Sequence, residues 1–277
     1  MTNQQADTPN AQHPRATVAR IYDYLLGGNQ NFEADRRAAL DILSKVPAAA
    51  NLALSNRLFL RRAVHTLAQA GMRQFLDLGS GIPTQGNVHE IAQAVDPAIR
   101  VLYVDIDPVA VVASNQILDG NLTCRAIEAD LTRPDVILDA LDDSDVASII
   151  DFDEPVVALY CSVLQLIPDD QIEAVIGPIR DRLVPGSAMV ISHVGVDVPD
   201  RWGESTVHQA TDVFRTQAAT DIHFRTDDQL RALFSDFEMI DPGLVPLDRW
   251  RPQLSAPDPF VAASMPSPMR GAVAFRR

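Results

Sequence analysis

From Gln74 onward the sequence alternates short apolar runs with helical segments, and this rhythm constrains the fold more than any other feature. The runs are Gln74 to Leu78, Val101 to Val104 closed by Asp105, Thr123 to Glu128 followed by Asp130, Pro155 to Tyr160, Ala188 to Ser192, and Gly271 to Phe275. Runs of four to six apolar residues suit strands buried on both faces. Between them lie segments of helical spacing. One covers Asn87 to Ala94, and Pro108 suits the first turn of the next. Asp169 or Asp170 is placed to cap a third, whose inner face is Ile172, Val175, Ile176, Ile179 and Leu183. Asp227 to Phe234 reads as a fourth. Strand alternating with helix specifies an α/β fold, a mostly parallel sheet with helices on both faces.

What precedes the first strand is different. Thr17 to Gly71 carries helical spacing only: Val18, Ile21, Tyr22 and Leu25, then a break at Gly27-Gly28-Asn29, then Leu60, Ala63, Val64 and Leu67 with Asn56 placed to cap them. The expected organisation is a disordered lead-in at 1–14, a helical N-terminal cap at 15–72, and an α/β domain at 73–277. That domain carries an insert at 196–225, whose helix would align Val207, Thr211, Phe214 and Ala218. A proline-rich stretch from Pro242 to Pro268 holds Trp250.

The chain has 277 residues, 47% of them hydrophobic, enough for a sizeable core, and a formal net charge of −14. A field of that sign repels phosphate backbones and anionic bilayers, so nucleic acid and membrane surfaces are not expected partners. No apolar run approaches the roughly 18 residues of a membrane span, and Met1 to Pro14 lacks the apolar core of a signal peptide. Cys124 and Cys161 fall in apolar strand runs without metal-ligand spacing, so free thiols, no metal site and a cytoplasmic location are expected.

The first strand ends in the turn Asp77-Leu78-Gly79-Ser80-Gly81. A strand, glycine turn and helix place a ligand at the carboxyl edge of a parallel sheet. Asp105, at the end of the second strand, is positioned to accept hydrogen bonds from two ribose hydroxyls; Asp107 fits the start of the next helix better. Asp130 is placed to accept from an adenine amino group, and Leu131 offers a backbone amide there. Asp77 is placed to hold an ammonium group, or else to bond the amides of its own turn. A dinucleotide fingerprint requires G-x-G-x-x-G, but here the third glycine is Thr84, and Asp77 would repel a pyrophosphate. The Walker pattern is absent. A phosphate-free cofactor with an adenosine end and a cationic amino-acid end fits these acids, and S-adenosyl-L-methionine has that form.

Phe75-Leu-Asp-Leu-Gly-Ser-Gly, Val104-Asp-Ile-Asp-Pro, Ala129-Asp-Leu and Ser162-Val-Leu-Gln-Leu-Ile-Pro resemble the ordered motifs of class I methyltransferases. Arg20-Ile-Tyr-Asp-Tyr-Leu-Leu-Gly-Gly, Asn31-Phe-Glu-Ala-Asp-Arg, Asn56-Arg, Gly81-Ile-Pro-Thr and Asn87-Val-His-Glu resemble more closely a bacterial S-adenosyl methyltransferase family once defined as a domain of unknown function. The resemblance implies a Rossmann-like, seven-stranded class I fold. It implies that Asp77, Gly79, Ser80 and Gly81 face the methionine part, that Asp105 and Ile106 hold ribose and adenine, and that Asp130 and Leu131 hold the adenine edge. Ser162 would lie under the sulfonium, and Tyr22 to Asn31, with Gly28, would close over the cofactor. Gln165 stands where many methyltransferases have histidine, and Cys161-Ser162 replaces an Asn/Asp-Pro-Pro-Tyr motif, so amino-methylation of DNA or glutamine is not implied.

Methyl transfer from a sulfonium needs alignment and exclusion of water more than it needs many catalytic groups. His193, at the end of the fifth strand, is the candidate base, ahead of Tyr160, His208 and His223. Arg57, Arg61 and Arg62 are candidates to attract a carboxylate, or a solvated helix face; Trp202 and Trp250 are candidate walls of an apolar pocket, or anchors of the insert; Tyr24 reads as core. The expected function is methyl transfer to a small-molecule acceptor. The alternatives are a non-catalytic binder of S-adenosylmethionine or another metabolite, and an NAD-dependent oxidoreductase.

Overall fold

The computed structural model describes residues 15–83, 86–196, 211–264 and 266–277. Expectations for residues 1–14, Trp202, Val207 and His208 lie outside these. The strands are β1 Gln74–Leu78, β2 Arg100–Asp105, β3 Cys124–Glu128, β4 Val157–Cys161, β5 Ala188–Val194, β6 Phe237–Met239, β7 Val245–Pro246 and β8 Met269–Arg276. The helices are α1 Val18–Leu25, α2 Glu33–Lys45, α3 Ala49–Gln69, α4 Val88–Gln93, α5 Pro108–Ile117, α6 Pro134–Leu141, α7 Ser144–Ala147, α8 Ile172–Arg182, α9 Asp227–Ala232 and α10 Pro259–Ala262.

The sheet runs β3-β2-β1-β4-β5-β8-β6, with β1 to β5 parallel and β8 antiparallel to β5. β5 occupies one edge of β8 throughout, so β6 and β7 share the other. They form a seventh lane broken at Ile240–Leu244. Pro246 is tolerated there because an edge strand needs no donor on its outer side. The opposite edge, β3, is blunted locally: the Asn115 amide of α5 donates to Ala126 O (3.0 Å) and accepts from Ala126 N (3.1 Å), as a neighbouring strand would.

Strand residues alternate between two cores. Leu76, Leu78, Leu102, Val104, Ala158, Tyr160, Met189 and Ile191 face α6, α8 and α9. Phe75, Val101, Tyr103, Val157, Leu159 and Val190 face α3 and α4, where Phe59, Leu60, Ala63, Val64 and Leu67 are buried. α3 therefore covers the sheet directly and is part of its layer. Asp77 lies between Leu76 and Leu78 and so turns toward α3, beside Tyr103 and Leu159 in register. The strand order reverses between β1 and β4, and the carboxyl ends of the strands diverge there into a crevice.

A third, smaller core joins Ile21 of α1, Ala38, Ala39 and Ile42 of α2, and Val213, within the insert. One of its ties to the sheet layer is ionic. Arg20 Nε lies 2.9 Å from Asp35 of α2 and its Nη1 3.0 Å from Asp107, the N-cap of α5, all three side chains being buried. Thr17 Oγ1 donates to the same Asp107 carboxylate at 2.5 Å.

Two expected caps are corrected. α3 begins at Ala49, so Asn56 is an interior residue; its polar group serves the neighbouring elements, as described below. Gln171 precedes α8, without a side-chain cap, because Asp169 is drawn into an ion pair with Arg225 at 2.8 Å. Asp107 caps α5 through Val109 N at 2.9 Å, as expected.

Arg20→Met would leave two buried carboxylates without their cation and should destabilise the chain by about 3–5 kcal/mol. Urea unfolding measures this, and a loss below about 1 kcal/mol would contradict the role given to Arg20.

Candidate active site

The glycine turn at the end of β1 uses its amides internally. Gly79 N and Ser80 N donate to Val104 O at 2.8 and 3.1 Å, and Gly81 N donates to Asp105 Oδ2 at 2.6 Å. One of the two readings of Asp77 falls with this. Asp77 does not bond the turn's amides, and those amides are not left to cradle a phosphate. Gly79 has φ +72°, and a Cβ there would sit 2.3 Å from Val163 Cγ2, so the turn packs directly on the loop after β4. α4 begins only at Val88, capped by Asn87 and Glu90 (Asn87 N to Glu90 Oε2, 2.8 Å), so no helix N-terminus follows the turn at once.

Above the turn lies a cleft of about 530 Å³. Its lining includes Tyr22, Asp77, Gly79, Ser80, Gly81, Asp105, Ile106, Asp130, Leu131 and Ser162. These are ten of the eleven residues the sequence nominated for the cofactor; Gly28 is the exception. A Cβ at Gly28 would fall 1.9 Å from Asp23 Oδ1, so this glycine lets its loop close on Asp23 rather than on the cleft. Asp23 Oδ2 accepts from Gln30 N (2.9 Å) and Asn31 Nδ2 (2.7 Å), which fixes the segment 28–31.

The cleft's floor is acidic. Asp77 is buried, and burial pushes its carboxyl up to about 7; the nearby positive charge of Arg57 works against this and Asp105 adds to it. Asp105 is also raised by burial, while the amides of Asp107 and Gly81 pull it down. Asp105 Oδ1 accepts from Asp107 N at 2.8 Å. Asp130 Oδ1 takes both Thr132 N (2.9 Å) and Thr132 Oγ1 (2.7 Å), leaving Oδ2 for another donor. Ile106 lines the cleft while 62% exposed, an apolar surface presented to whatever fills it.

On the other wall, Tyr22 OH donates to Ala53 O (3.0 Å) and accepts from Asn56 Nδ2 (2.9 Å), and Asn56 Oδ1 accepts from Ser192 Oγ (2.5 Å). This chain of bonds ties α1, α3 and β5 around the cleft. Burial raises the Tyr22 hydroxyl and, strongly, the Cys161 thiol. Ser162 has φ +59°, a strained backbone for a residue with a side chain.

His193 is corrected. It is fully buried and does not line the cleft. Arg225 Nη1 lies 2.7 Å from its Nε2, and its Nδ1 lies 2.7 Å from Val194 O. An arginine only donates and a carbonyl only accepts, so Nδ1 carries the proton and the lone pair of Nε2 is taken. Burial first, and Arg225 next, lower the ring to about 4. No lone pair remains for a substrate proton. Tyr160 is buried in the core. His223 is half-buried, and its backbone N donates to Gln165 O at 2.8 Å.

The three arginines of α3 separate. Arg61 is exposed. Arg62 is buried, donating to Trp250 O (2.7 Å), Leu247 O (2.6 Å) and Ser255 Oγ (2.9 Å). Arg57 lines the cleft with Asn56 and Leu60. The reading from sequence gave this trio no part in the cofactor site; the signal was an Asn-Arg pair interrupting the apolar stripe of a long helix. Trp250 packs edge-on to Phe59 at 5.4 Å and anchors its loop to the core. Tyr24 packs against the third core, as expected.

A model of the S-adenosyl methyltransferase family matches residues 4–275. Two crystal structures are similar over nearly their whole length. A Thermobifida fusca YX protein proposed to be a methyltransferase is 33% identical, with a TM-score of 0.85, covering 99% of this chain and 100% of that one. A DUF574 family protein from Streptomyces avermitilis MA-4680 is 31% identical, with a TM-score of 0.83, covering 95% and 98%. No curated protein matches the sequence significantly.

Folding leaves Asp77 more protonated than unfolding does, between its ordinary 3.8 and about 7. The stability tied to this group is therefore full at the acid end of that window and falls as pH rises through it. Asp77→Asn should gain on wild type by about 2–4 kcal/mol between pH 4 and pH 8. Unfolding free energies that run parallel across this range would contradict the burial of that charge. With the sheet, the glycine turn and the acids at its edge in place, the sequence match over almost the whole length decides the relationship: this chain belongs to the S-adenosyl methyltransferase family.

Proposed function

We propose that this chain transfers the methyl group of S-adenosylmethionine to a small-molecule acceptor. The observation that carries the reading is the convergence of two buried carboxylates, Asp77 and Asp105, on a cleft whose glycine turn has spent its amides. A buried acid raised to about 7 calls for a cation, and the amino-acid end of this cofactor supplies one. Asp77 would take its ammonium and Arg57 its carboxylate. Asp105 would take the ribose hydroxyls, with Ile106 and Leu131 against the adenine and Asp130 at its amino group. Ser162 would stand by the reacting end.

When bound, the cofactor supplies an electrophilic methyl on a sulfonium. The chain's own part is to bind, orient and exclude water. Leu60, Leu166 and Ile167 give the cleft apolar walls, and Tyr22, fixed by Ala53 and Asn56, holds α1 against it. An acceptor with a free lone pair needs no base. The reading includes a cytoplasmic location, supported by the free cysteines Cys124 and Cys161. It places neither nucleic acid nor membrane among the partners, supported by the net charge of −14. No helix among the described residues is long and apolar enough to cross a membrane.

Titration with S-adenosylhomocysteine should show saturable binding, and titration with NAD none; NAD binding alone would overturn the assignment. Transfer of a labelled methyl group to any acceptor supports catalysis, and binding without turnover across a broad acceptor panel favours a sensing role. Asp105→Ala should weaken S-adenosylhomocysteine binding by about 1.5–3 kcal/mol, the scale of hydrogen bonds to a charged group. Unchanged affinity in the folded variant would remove Asp105 from the ribose.

A further inference from the structure

The loop after β4 carries Ser162, Val163, Leu166 and Ile167 into the cleft. Val163 abuts Gly79, so this loop also supports the glycine turn. Its backbone is strained at Ser162, and such strain persists only where the surroundings impose it. Two bonds act on Ser162 directly: Ser162 N donates to Ser192 O at 3.0 Å, and Gln165 Nε2 donates to Ser162 Oγ at 2.7 Å.

The remainder of the loop is gripped from behind by one residue. Arg225 is 2% exposed and stands where the insert returns to the sheet, its carbonyl accepting from Val196 N at 3.1 Å. Its Nη1 donates to Leu164 O and its Nη2 to Ile167 O, both at 2.8 Å. These are the carbonyls of the first residue and of the C-cap of the 3-10 turn Leu164–Leu166. A guanidinium has a fixed planar fork, so its aim depends on what holds the plane. Here the holders are Asp169, at 2.8 Å and largely exposed, and His193 Nε2, at 2.7 Å and fully buried. His193 sits at the end of β5, a rigid strand in the middle of the sheet.

We propose that His193 and Arg225 are positioning residues: the ring on β5 aims the guanidinium, and the guanidinium fixes the 162–167 loop that forms one wall of the cofactor cleft. This rests on the reading of the cleft as the S-adenosylmethionine site. Neither residue touches the cofactor. The histidine contributes a lone pair to an arginine rather than to a substrate. A glutamine at 193 retains an acceptor at the reach of Nε2, and a leucine of similar bulk does not.

The test compares His193→Gln with His193→Leu in the full chain, with Arg225→Lys as a third variant that keeps the charge and loses the fork. His193→Leu and Arg225→Lys should weaken S-adenosylhomocysteine binding by about ten-fold, one hydrogen bond to a charged group, while His193→Gln stays within about two-fold of wild type. Amide exchange at Ser162, Leu166 and Ile167, measured without any ligand, should speed up in His193→Leu and Arg225→Lys and not in His193→Gln. Should His193→Leu fail to fold, Arg225→Lys carries the comparison. Wild-type affinity and exchange in the folded His193→Leu or Arg225→Lys variant would overturn the proposal. So would equal losses in His193→Gln and His193→Leu that merely follow their melting temperatures. If wild type itself binds no S-adenosylhomocysteine, the assignment of the cleft fails, and the exchange rates still decide whether the clamp exists.

Discussion

The cleft depends on one buried guanidinium. Arg20 joins α1 to Asp35 of the next helix, α2, and to Asp107 at the start of α5, 87 residues along the chain. The α1–α2 pair has its own small core, and this ion cluster, together with the Tyr22–Asn56–Ser192 bonds, sets where it sits. Asp107 in turn donates its backbone amide to Asp105, which holds Gly81. Helical cap, second strand and glycine turn are thus connected through Asp105, the last residue of β2, and Asp107, two residues on. Removing such a cation is costly because the acids it serves have no water to fall back on.

The same interior keeps Asp77 under strain of another kind. A carboxylate placed between two leucines of a central strand is a poor choice for stability, and its raised proton affinity is the sign of that cost. Proteins keep such groups where a ligand completes them. The glycine turn points the same way. Its three amides are occupied by Val104 and Asp105, so it offers shape and closeness rather than an anion nest. Both features select a cationic, phosphate-free ligand.

Much of this was legible because the central strands are short, apolar and bounded by acids or glycines, and the period of their side chains is set by the sheet itself. The candidates Asp77, Asp105 and Asp130 followed from the strand ends, whereas Ile106, Ser162 and Tyr22 came from the family resemblance. What was not legible depends on partners distant in sequence. His193 at a strand end resembles a base until Arg225, 32 residues later, is found on its lone pair. Asn56 resembles a helix cap because an isolated amide before an apolar stripe has the same pattern as a cleft-facing residue between Tyr22 and Ser192. Gly28 was placed at the cofactor by the family resemblance, whereas its neighbour in space is Asp23. β6 and β7 are three and two residues long and interrupted near Pro242, too short for any period to show.

Asp77 waits in the cleft for a positive charge. Calorimetric titration of S-adenosylmethionine at pH 7, in buffers of differing ionisation enthalpy, counts the protons that leave on binding. A carboxyl poised near 7 that becomes fully ionised against a cation should release about half a proton, and Asp77→Asn should abolish the release. Binding with no proton release in wild type, or with the same release in Asp77→Asn, would contradict the account.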